Sequence, residues 1–296
     1  MSKVAELFGV STSVKQNWKK VIEDRWCPFL YRLCLKNRKS NPAILIGTCT
    51  VNYGKENRAI IICPHRLLER RQIFTDCLHL LTLHEPGNEF HIIPEVSIPG
   101  GSVDYFLASV RKRKVKDFVG IELQTLDTTG TVWPERQRFL HELGLRVAKQ
   151  DVECEDSFGM NWKMTAKTIL VQLHHKVQTF ESINKHLVLV VQNPLIEYMT
   201  ANFNFGHITE ARIGDSMHIH GYNLVQNADK NWRMELAARL STDAAGVSTS
   251  LGLQAEAKVE LATIISLLED KISANTLFDL AKPRRVTDVT PRTPPS

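Results

Sequence analysis

The sequence has no apolar run of the length that a membrane-spanning helix requires, about 20 residues. Its first ten residues lack the basic segment, the apolar run and the small-residue cleavage site of a secretory signal. No internal repeat is present, and neither charge sign dominates, since the formal net charge is only +5. These absences argue against a membrane protein, a secreted protein and a repeat array. We therefore expect a cytoplasmic protein without a membrane partner.

The chain nevertheless has the composition of a globular protein that buries a core. Of its 296 residues, 43% are hydrophobic and 23% are charged, which suffices for one large or two modest domains. A weak positive charge permits a nucleic-acid partner but does not identify one. The basic residues form clusters that are either solvated faces or contacts to phosphate: Lys19 and Lys20; Arg66, Arg70 and Arg71; the run from Arg111 to Lys116; and 282–285.

Cysteine is scarce and unevenly placed. Without a secretory signal, the six cysteines are expected to be thiols or thiolate metal ligands rather than disulfides. Cys77 and Cys154 stand apart and are expected to be inert buried thiols. The other four lie in the first quarter of the chain, separated by six, fourteen and thirteen residues: Cys27, Cys34, Cys49 and Cys63. The spacing alone fits either a four-thiolate metal site or separate core cysteines.

Hydrophobic periodicity predicts a chain in which helices and strands are interspersed. A Pro-Gly-Gly turn at 99–101 precedes a predicted β-hairpin that joins 105–110 to 115–126 through the basic run. The other predicted strands are 43–51, 59–63 and the apolar 187–192, which is expected in the centre of a sheet. The predicted helices are 14–23, 67–83, 135–143, 163–179, 194–203 and 254–271.

These elements favour an α/β fold with an N-terminal region at 1–85 and a core region at 86–281. The segment 282–296 is rich in proline and threonine and is expected to be a disordered tail.

Two carboxylates in the predicted hairpin are candidates for a metal site. In the strand 119–125, Glu122 and Gln124 alternate with apolar residues and therefore point to one face. Pairing of this strand with 103–107 would bring the carboxylate of Asp104 beside that of Glu122. Two adjacent carboxylates repel each other and call for a cation, and oxygen ligands of this kind suit Mg²⁺. The alternative is an ordinary edge strand whose polar face meets water.

Three sequence strings around these carboxylates, EVSI at 95–98, VDY at 103–105 and GIELQTLD at 120–127, resemble the active-site region of the NotI family of type II restriction endonucleases. The resemblance implies a PD-(D/E)XK nuclease core, which is a mixed central sheet flanked by helices. It further implies that Asp104 and Glu122 bind Mg²⁺, that Gln124 positions the attacking water and that Glu95 is an accessory carboxylate. Gln124 stands where most of the class has lysine, in agreement with the NotI family.

The cysteine region resembles the same family in the strings CPF at 27–29, GTCTV at 47–51 and ICPHR at 62–66. This resemblance implies an N-terminal subdomain in which the four cysteines hold one structural iron, and tetrahedral sulfur ligands accept zinc as well. His65 is an alternative ligand. The string KTILVQLHHK at 167–176 resembles the helix that follows the active-site strands, where Lys167, Gln172 and Lys176 either face phosphate or are surface residues.

The function implied by the resemblance is Mg²⁺-dependent cleavage of double-stranded DNA at a palindromic, GC-rich site by a homodimer. DNA contacts are expected from Arg66, Arg70 and Arg71 and from Arg111, Lys112 and Arg113. The apolar segment 259–268 is either a dimer contact or part of the core. Two alternatives remain open, namely a repair or nicking endonuclease with the same core and a metal-stabilised DNA-binding protein without catalysis.

Overall fold

The computed structural model describes residues 2–38 and 41–252, together with residues 265, 266 and 270. The chain divides into two compact units, 1–254 and 255–296, and the first is described here. The predicted helix at 254–271, the apolar segment 259–268 and the tail from residue 282 lie outside the described residues, except for those three. The expected division between residues 85 and 86 stays a prediction.

The described chain begins with short strands and continues with longer strands and helices. The strands are β1 (Val4–Leu7), β2 (Val10–Ser11), β3 (Trp26–Cys27), β4 (Arg32–Leu33), β5 (Asn37–Arg38), β6 (Asn41–Leu45), β7 (Thr48–Tyr53), β8 (Arg58–Ile61), β9 (Glu89–Ile98), β10 (Gly101–Arg111), β11 (Lys114–Gln124), β12 (Thr128–Gly130), β13 (Phe158–Met160), β14 (His186–Gln192), β15 (Thr209–Glu210), β16 (Met217–Gln226) and β17 (Trp232–Thr242). The helices are α1 (Trp18–Asp24), α2 (Gln72–Asp76), α3 (Trp133–Glu142), α4 (Lys149–Glu153), α5 (Trp162–Ser182), α6 (Asn193–Asn202) and α7 (Ala244–Ser250). Two 3₁₀ segments, Pro64–Arg71 and Leu78–Leu80, flank α2.

The fold is built on a seven-stranded mixed sheet in the order β15-β17-β16-β14-β11-β10-β9. Strand β14 lies at the centre and pairs in parallel with β11 and β16, whereas the remaining pairs are antiparallel. Its five inner residues, 187–191, are apolar on both faces and buried, which is the pattern of a strand covered from both sides. The predicted central strand and the α/β class are therefore confirmed.

Alternate residues of β14 enter two different hydrophobic clusters because successive side chains of a strand point to opposite faces. Leu187, Leu189 and Val191 pack in the cluster that contains apolar residues of α5, α6 and α7. Val188 and Val190 pack in the cluster that contains residues of α2 and the two 3₁₀ segments. The sheet is thus covered on both faces, and no helix in the described ranges is long and apolar enough to cross a membrane.

The cysteine region folds around a smaller sheet in the order β2-β1-β7-β8. The predicted strand 43–51 is two strands, β6 and β7, which are separated at Gly47. Gly47 has a φ of +69°, and a Cβ at this position would lie 2.5 Å from the ring of Phe8. The backbone therefore turns where the hydrophobic pattern alone indicates a continuous strand.

The predicted single helix over 67–83 is wrong. The segment contains α2 and the two 3₁₀ segments, and the chain bends where Arg70 and Arg71 adopt φ values of +51° and +56°. A helix cannot continue through left-handed residues. The periodicity of the leucines indicates correctly that this segment packs against the sheet. It does not show that the segment forms one helix.

A buried ion network fixes this segment to its neighbours. The guanidinium of Arg66 is fully buried and donates to Glu6 Oε2 at 2.8 Å, to Glu69 Oε2 at 3.0 Å and to the carbonyl of Trp232 at 3.2 Å. Glu69 also accepts from the backbone N–H of Met234 at 2.8 Å. The network joins β1, the first 3₁₀ segment and β17, so it connects the small sheet to the large one.

Replacement of Arg66 by methionine is expected to lower the free energy of unfolding by about 3–5 kcal/mol, because it leaves buried Glu6 without a cation and Glu69 with only the partly exposed Arg233. Urea denaturation followed by circular dichroism measures the change. The matched control is Arg146→Met at an exposed position, which is expected to change stability by less than about 0.5 kcal/mol. Equal stability of the two variants would contradict a structural role for the network.

Candidate active site

The predicted hairpin is present and brings the two candidate carboxylates together. Tyr105 pairs with Ile121 in the register of β10 and β11, so the next positions toward the open end of the hairpin are Asp104 and Glu122. There the backbone N–H of Leu123 donates to Asp104 Oδ2 at 2.8 Å. The carboxylate of Asp104 therefore accepts a hydrogen bond from the backbone of the neighbouring strand, which holds it in a fixed orientation opposite Glu122.

Glu122 is a desolvated carboxylate, with 6% of its surface exposed. Burial raises its pKa to about 7, the hydrogen bond and charge of Lys176 oppose this shift, and the negative charge of Asp104 adds to it. The two carboxylates are thus close enough to repel each other. An additional positive charge at this point would stabilise both ionised forms.

Lys176 supplies one positive charge to Glu122. Its Nζ donates to Glu122 Oε1 at 2.7 Å, and 8% of the residue is exposed. Residues 169, 173, 176 and 180 of α5 are all buried, so Lys176 lies on the apolar face of that helix. This placement is the signal that sequence reasoning missed, since a lysine on a buried face requires an anionic partner.

The predicted turn at 99–101 brings α5 against the open end of the hairpin. Gly101 has a φ of +132°, and a Cβ there would lie 3.1 Å from Cε of Lys176. Thr179 Oγ1 donates to the carbonyl of Pro99 at 2.8 Å. The missing side chain at Gly101 therefore lets the stem of Lys176 pass close to the turn on its way to Glu122.

Asp104, Glu122 and Lys176 line one cavity of about 570 Å³. Gln124 lines it as well, and its Nε2 donates to the carbonyl of Thr125 at 2.6 Å. The remaining lining residues come from the turn after β9, from β10 and β11, and from α5: Gly100, Gly101, Ser102, Leu123, Ile169, Val171, Gln172 and His175. Carboxylate, amide and ammonium groups thus converge on one space.

Glu95 lies beside this cavity and does not line it. It stands opposite Asp104, between the pairs Val96 with Val103 and Pro94 with Tyr105, and it has a φ of +49°. Burial raises the pKa of Tyr105, and the charges of Asp104 and Glu95 add to that rise. Glu95 is therefore near Asp104 but exposed to solvent.

The candidate DNA-binding residues occupy different environments. Arg70, Arg71 and Lys167 are exposed, and Lys167 does not line the cavity. Arg66 is fully buried among carboxylates, so the expectation that it reaches phosphate or guanine is wrong for this structure. The cause is the 3₁₀ segment after Cys63, which turns the side chain of Arg66 inward.

Arg111, Lys112 and Arg113 are exposed at the closed end of the β10–β11 hairpin. Arg111 lies seven residues from Asp104, which corresponds to about 23 Å along a strand. Arg111 pairs with Glu85 at 3.3 Å, and Lys114 and Lys116 extend the basic surface. The candidate active site and the basic run therefore lie at opposite ends of one hairpin.

The four cysteines of the N-terminal region are all buried and lie close to one another. Cys27 interacts electrostatically with Cys34 and Cys63, and Cys49 shares a hydrogen bond with Cys63. That bond, together with the charges of Lys36 and His65 and against the opposing effect of burial, lowers the pKa of Cys63 to about 6. In the part of the chain that is described, no group of three or more His, Cys, Asp or Glu side chains has an arrangement that could hold a metal ion.

The chemistry of the four thiols and the cations near them is nevertheless of the kind that a thiolate-bound metal requires, although the thiols are not arranged as a ligand set. Arg136 is 6% exposed, donates to the carbonyl of Ile46 at 2.7 Å and interacts electrostatically with Cys34. Lys36 Nζ donates to the carbonyl of Ile62 beside Cys63 at 2.8 Å. Two cations next to four thiols would offset the negative charge of a four-thiolate site.

A histidine cluster on the other face of the large sheet is a separate feature that sequence reasoning did not predict. It consists of His79, His186, His218 and His220, none of which lines the carboxylate cavity. Burial lowers the pKa of His218 to about 4 and that of His220 to about 3, so both rings are neutral. The cluster belongs to the packing between β16 and the second 3₁₀ segment.

Comparison with known proteins gives no relative on which to base an assignment. No protein-family model, no curated protein and no solved structure matches the chain. An assignment of function therefore depends on the residues of the carboxylate cavity and on the resemblance of the strings around them.

Proposed function

We propose that the chain is a Mg²⁺-dependent endonuclease of the PD-(D/E)XK class that cleaves double-stranded DNA, in the manner of the NotI family of type II restriction endonucleases. The observation that supports this proposal most directly is the pair Asp104 and Glu122, which face each other at the open end of an antiparallel hairpin. Strand β11 of that hairpin is next to the buried central strand β14 and parallel to it. The carboxylates are therefore carried by the rigid part of the sheet.

The residues of the cavity fit a magnesium ion. Mg²⁺ takes oxygen ligands, keeps several waters and is bound by one or two carboxylates beside a phosphate. Asp104 and Glu122 supply two such carboxylates, and burial raises the pKa of Glu122 even with Lys176 beside it. When bound, the ion would neutralise charge on the scissile phosphate and acidify the attacking water.

The chain's own residues orient the reactants. The N–H of Leu123 fixes the carboxylate of Asp104, and the ammonium of Lys176 fixes that of Glu122. Gln124 has both a carbonyl oxygen and an amide donor, so it can hold a water molecule but cannot take its proton. We assign Gln124 the role of orienting the water and Glu95 that of an accessory carboxylate beside Asp104.

The proposed substrate is duplex DNA with a palindromic, GC-rich site, and the proposed active form is a homodimer. Two strands require two active sites, and a two-fold axis presents the same residues to each half of a palindrome. The exposed basic residues at the closed end of the hairpin are suited to contact phosphates, which position the protein without reading the sequence. Arg70 and Arg71 are suited to contact guanine or phosphate.

We also propose that Cys27, Cys34, Cys49 and Cys63 hold one structural iron or zinc ion. The burial of the four thiols and the neighbouring cations support this assignment. Four protein ligands leave no open position, so this metal would hold the small sheet together and would not take part in cleavage.

Incubation of the wild type with phage DNA and Mg²⁺ is expected to give discrete fragments. Asp104→Asn and Glu122→Gln are each expected to lower the cleavage rate by at least about 100-fold, because each removes a metal-binding charge. Gel electrophoresis measures the rate. Glu89→Gln is the control, since Glu89 is an exposed carboxylate on β9 outside the cavity, and it should cleave like the wild type.

A plasmid with a single site separates the alternatives. Linear product indicates a double-strand endonuclease, whereas accumulation of nicked circles favours the repair or nicking enzyme. Mg²⁺-independent DNA binding without any cleavage favours a DNA-binding protein and contradicts the proposal.

Simultaneous replacement of Arg111, Lys112 and Arg113 by glutamine is expected to weaken DNA binding on all sequences. The slope of log K against log salt concentration should fall by about 0.9 for each phosphate that the variant no longer neutralises. Fluorescence anisotropy at several salt concentrations measures it. The control is the double variant Lys19→Gln and Lys20→Gln on α1, and an equal change in both variants would argue against phosphate binding at the hairpin.

Elemental analysis of the purified protein is expected to find about one iron or zinc atom per chain. Cys49→Ser should lose this metal and lower the melting temperature, because the free energy of metal binding contributes to folding. Cys154→Ser lies outside the cysteine group and should retain the metal. Wild-type protein without metal, or metal retained by Cys49→Ser, would argue against the four-thiolate site.

A further inference from the structure

Among the described residues that line the carboxylate cavity, Lys176 is the single lysine or arginine, and it already contacts Glu122. From this contact we propose that Lys176 competes with the divalent cation for Glu122. Its ammonium occupies the carboxylate in the metal-free protein and moves to the scissile phosphate when the divalent cation binds. The inference rests on the proposed function and assigns Lys176 a direct contact with the substrate phosphate.

The hydrogen bonds of Lys176 are compatible with this exchange. An ammonium has three donors, and within the described residues the Nζ of Lys176 makes one hydrogen bond, to Glu122 Oε1. Two donors remain for another acceptor in the same cavity. No second carboxylate in the described ranges forms an ion pair with Lys176. Once the ammonium leaves Glu122, no other carboxylate among these residues holds it in place.

The charge balance of the cavity makes coexistence of the two cations on Glu122 unfavourable. A divalent cation bound to Asp104 and Glu122 repels an ammonium 2.7 Å from the same carboxylate. A phosphate in the cavity attracts the ammonium, which can move because its stem is an unbranched chain beside Gly101. Charge and flexibility thus favour transfer of Lys176 from the carboxylate to the phosphate.

The position of Lys176 also compensates for a missing charge on the strand. Two residues after Glu122 stands Gln124, which carries no charge. Lys176 reaches the same cavity from α5, 54 residues away from Glu122 along the sequence. The helix therefore supplies a positive charge at the end of β11 that carries Glu122 and Gln124, where the strand itself has none.

The test is a titration of DNA-free protein with Mn²⁺, in which free Mn²⁺ is measured by electron paramagnetic resonance. We expect Lys176→Met and Lys176→Gln to bind Mn²⁺ about tenfold more tightly than the wild type, because the competing charge is gone. Lys176→Arg retains the charge and should bind as the wild type does. Lys163→Met, an exposed lysine on the same helix, is the matched control and should leave Mn²⁺ affinity unchanged.

The sign of the change separates competition from a structural role. A lysine that only supports the fold would lose Mn²⁺ affinity when it is replaced, whereas a competing lysine gains it. In the cleavage assay at saturating Mn²⁺, Lys176→Met should be slower than the wild type although its metal site is filled. Unchanged or weaker Mn²⁺ binding by both neutral variants would overturn the proposal.

Failure of this inference is distinguishable from failure of the proposed function. Wild-type protein that neither binds Mn²⁺ nor cleaves DNA contradicts the proposed function and with it the role of Lys176. Wild-type protein that binds Mn²⁺ and cleaves, with Lys176→Met and Lys176→Gln equal to it in both respects, contradicts the role of Lys176 alone.

Discussion

The repulsion between Asp104 and Glu122 is the constraint on which the candidate site depends. Neighbouring strands normally exchange backbone hydrogen bonds at every second pair, but at this end of the hairpin a carboxylate accepts the ladder donor of Leu123. A second, buried carboxylate faces the first one. Such a pair is unfavourable without positive charge, and the chain supplies one from a distant helix. The same unfavourable pair is what makes the cavity a good place for a divalent cation.

The parts of this site that local sequence patterns encode could be predicted. Alternation of polar and apolar residues placed Glu122 and Gln124 on one face, and the Pro-Gly-Gly turn with the apolar strings placed Asp104 on the neighbouring strand. The contact of Lys176 with Glu122 could not be predicted in this way, because it depends on how α5 crosses the sheet. Strand pairing is set by nearby residues and turn geometry, whereas helix packing is set by the whole core.

The errors in the fold have the same origin. The leucines after Cys63 have a spacing that suggests one helix, yet the chain bends at Arg70 and Arg71 because Arg66 and Glu69 enter a buried network with residues of β1 and β17. The hairpin β16–β17 was not predicted, since its strands carry histidines, arginines and other polar residues on a pattern that is only partly alternating. Whether such polar residues are buried or exposed depends on contacts with residues that lie far away in the sequence, and a local pattern does not reveal those contacts.

The β10–β11 hairpin carries the carboxylates at one end and the basic run at the other, and a strand pair has little freedom to stretch. The separation of about 23 Å between Asp104 and Arg111 corresponds to roughly seven nucleotide steps of duplex DNA at 3.4 Å each. Under the proposed function, a duplex lying along the hairpin would therefore contact the basic run at a fixed distance from the bond that is cleaved. In that arrangement, the length of the strands rather than base contacts would determine which phosphates the basic run can reach.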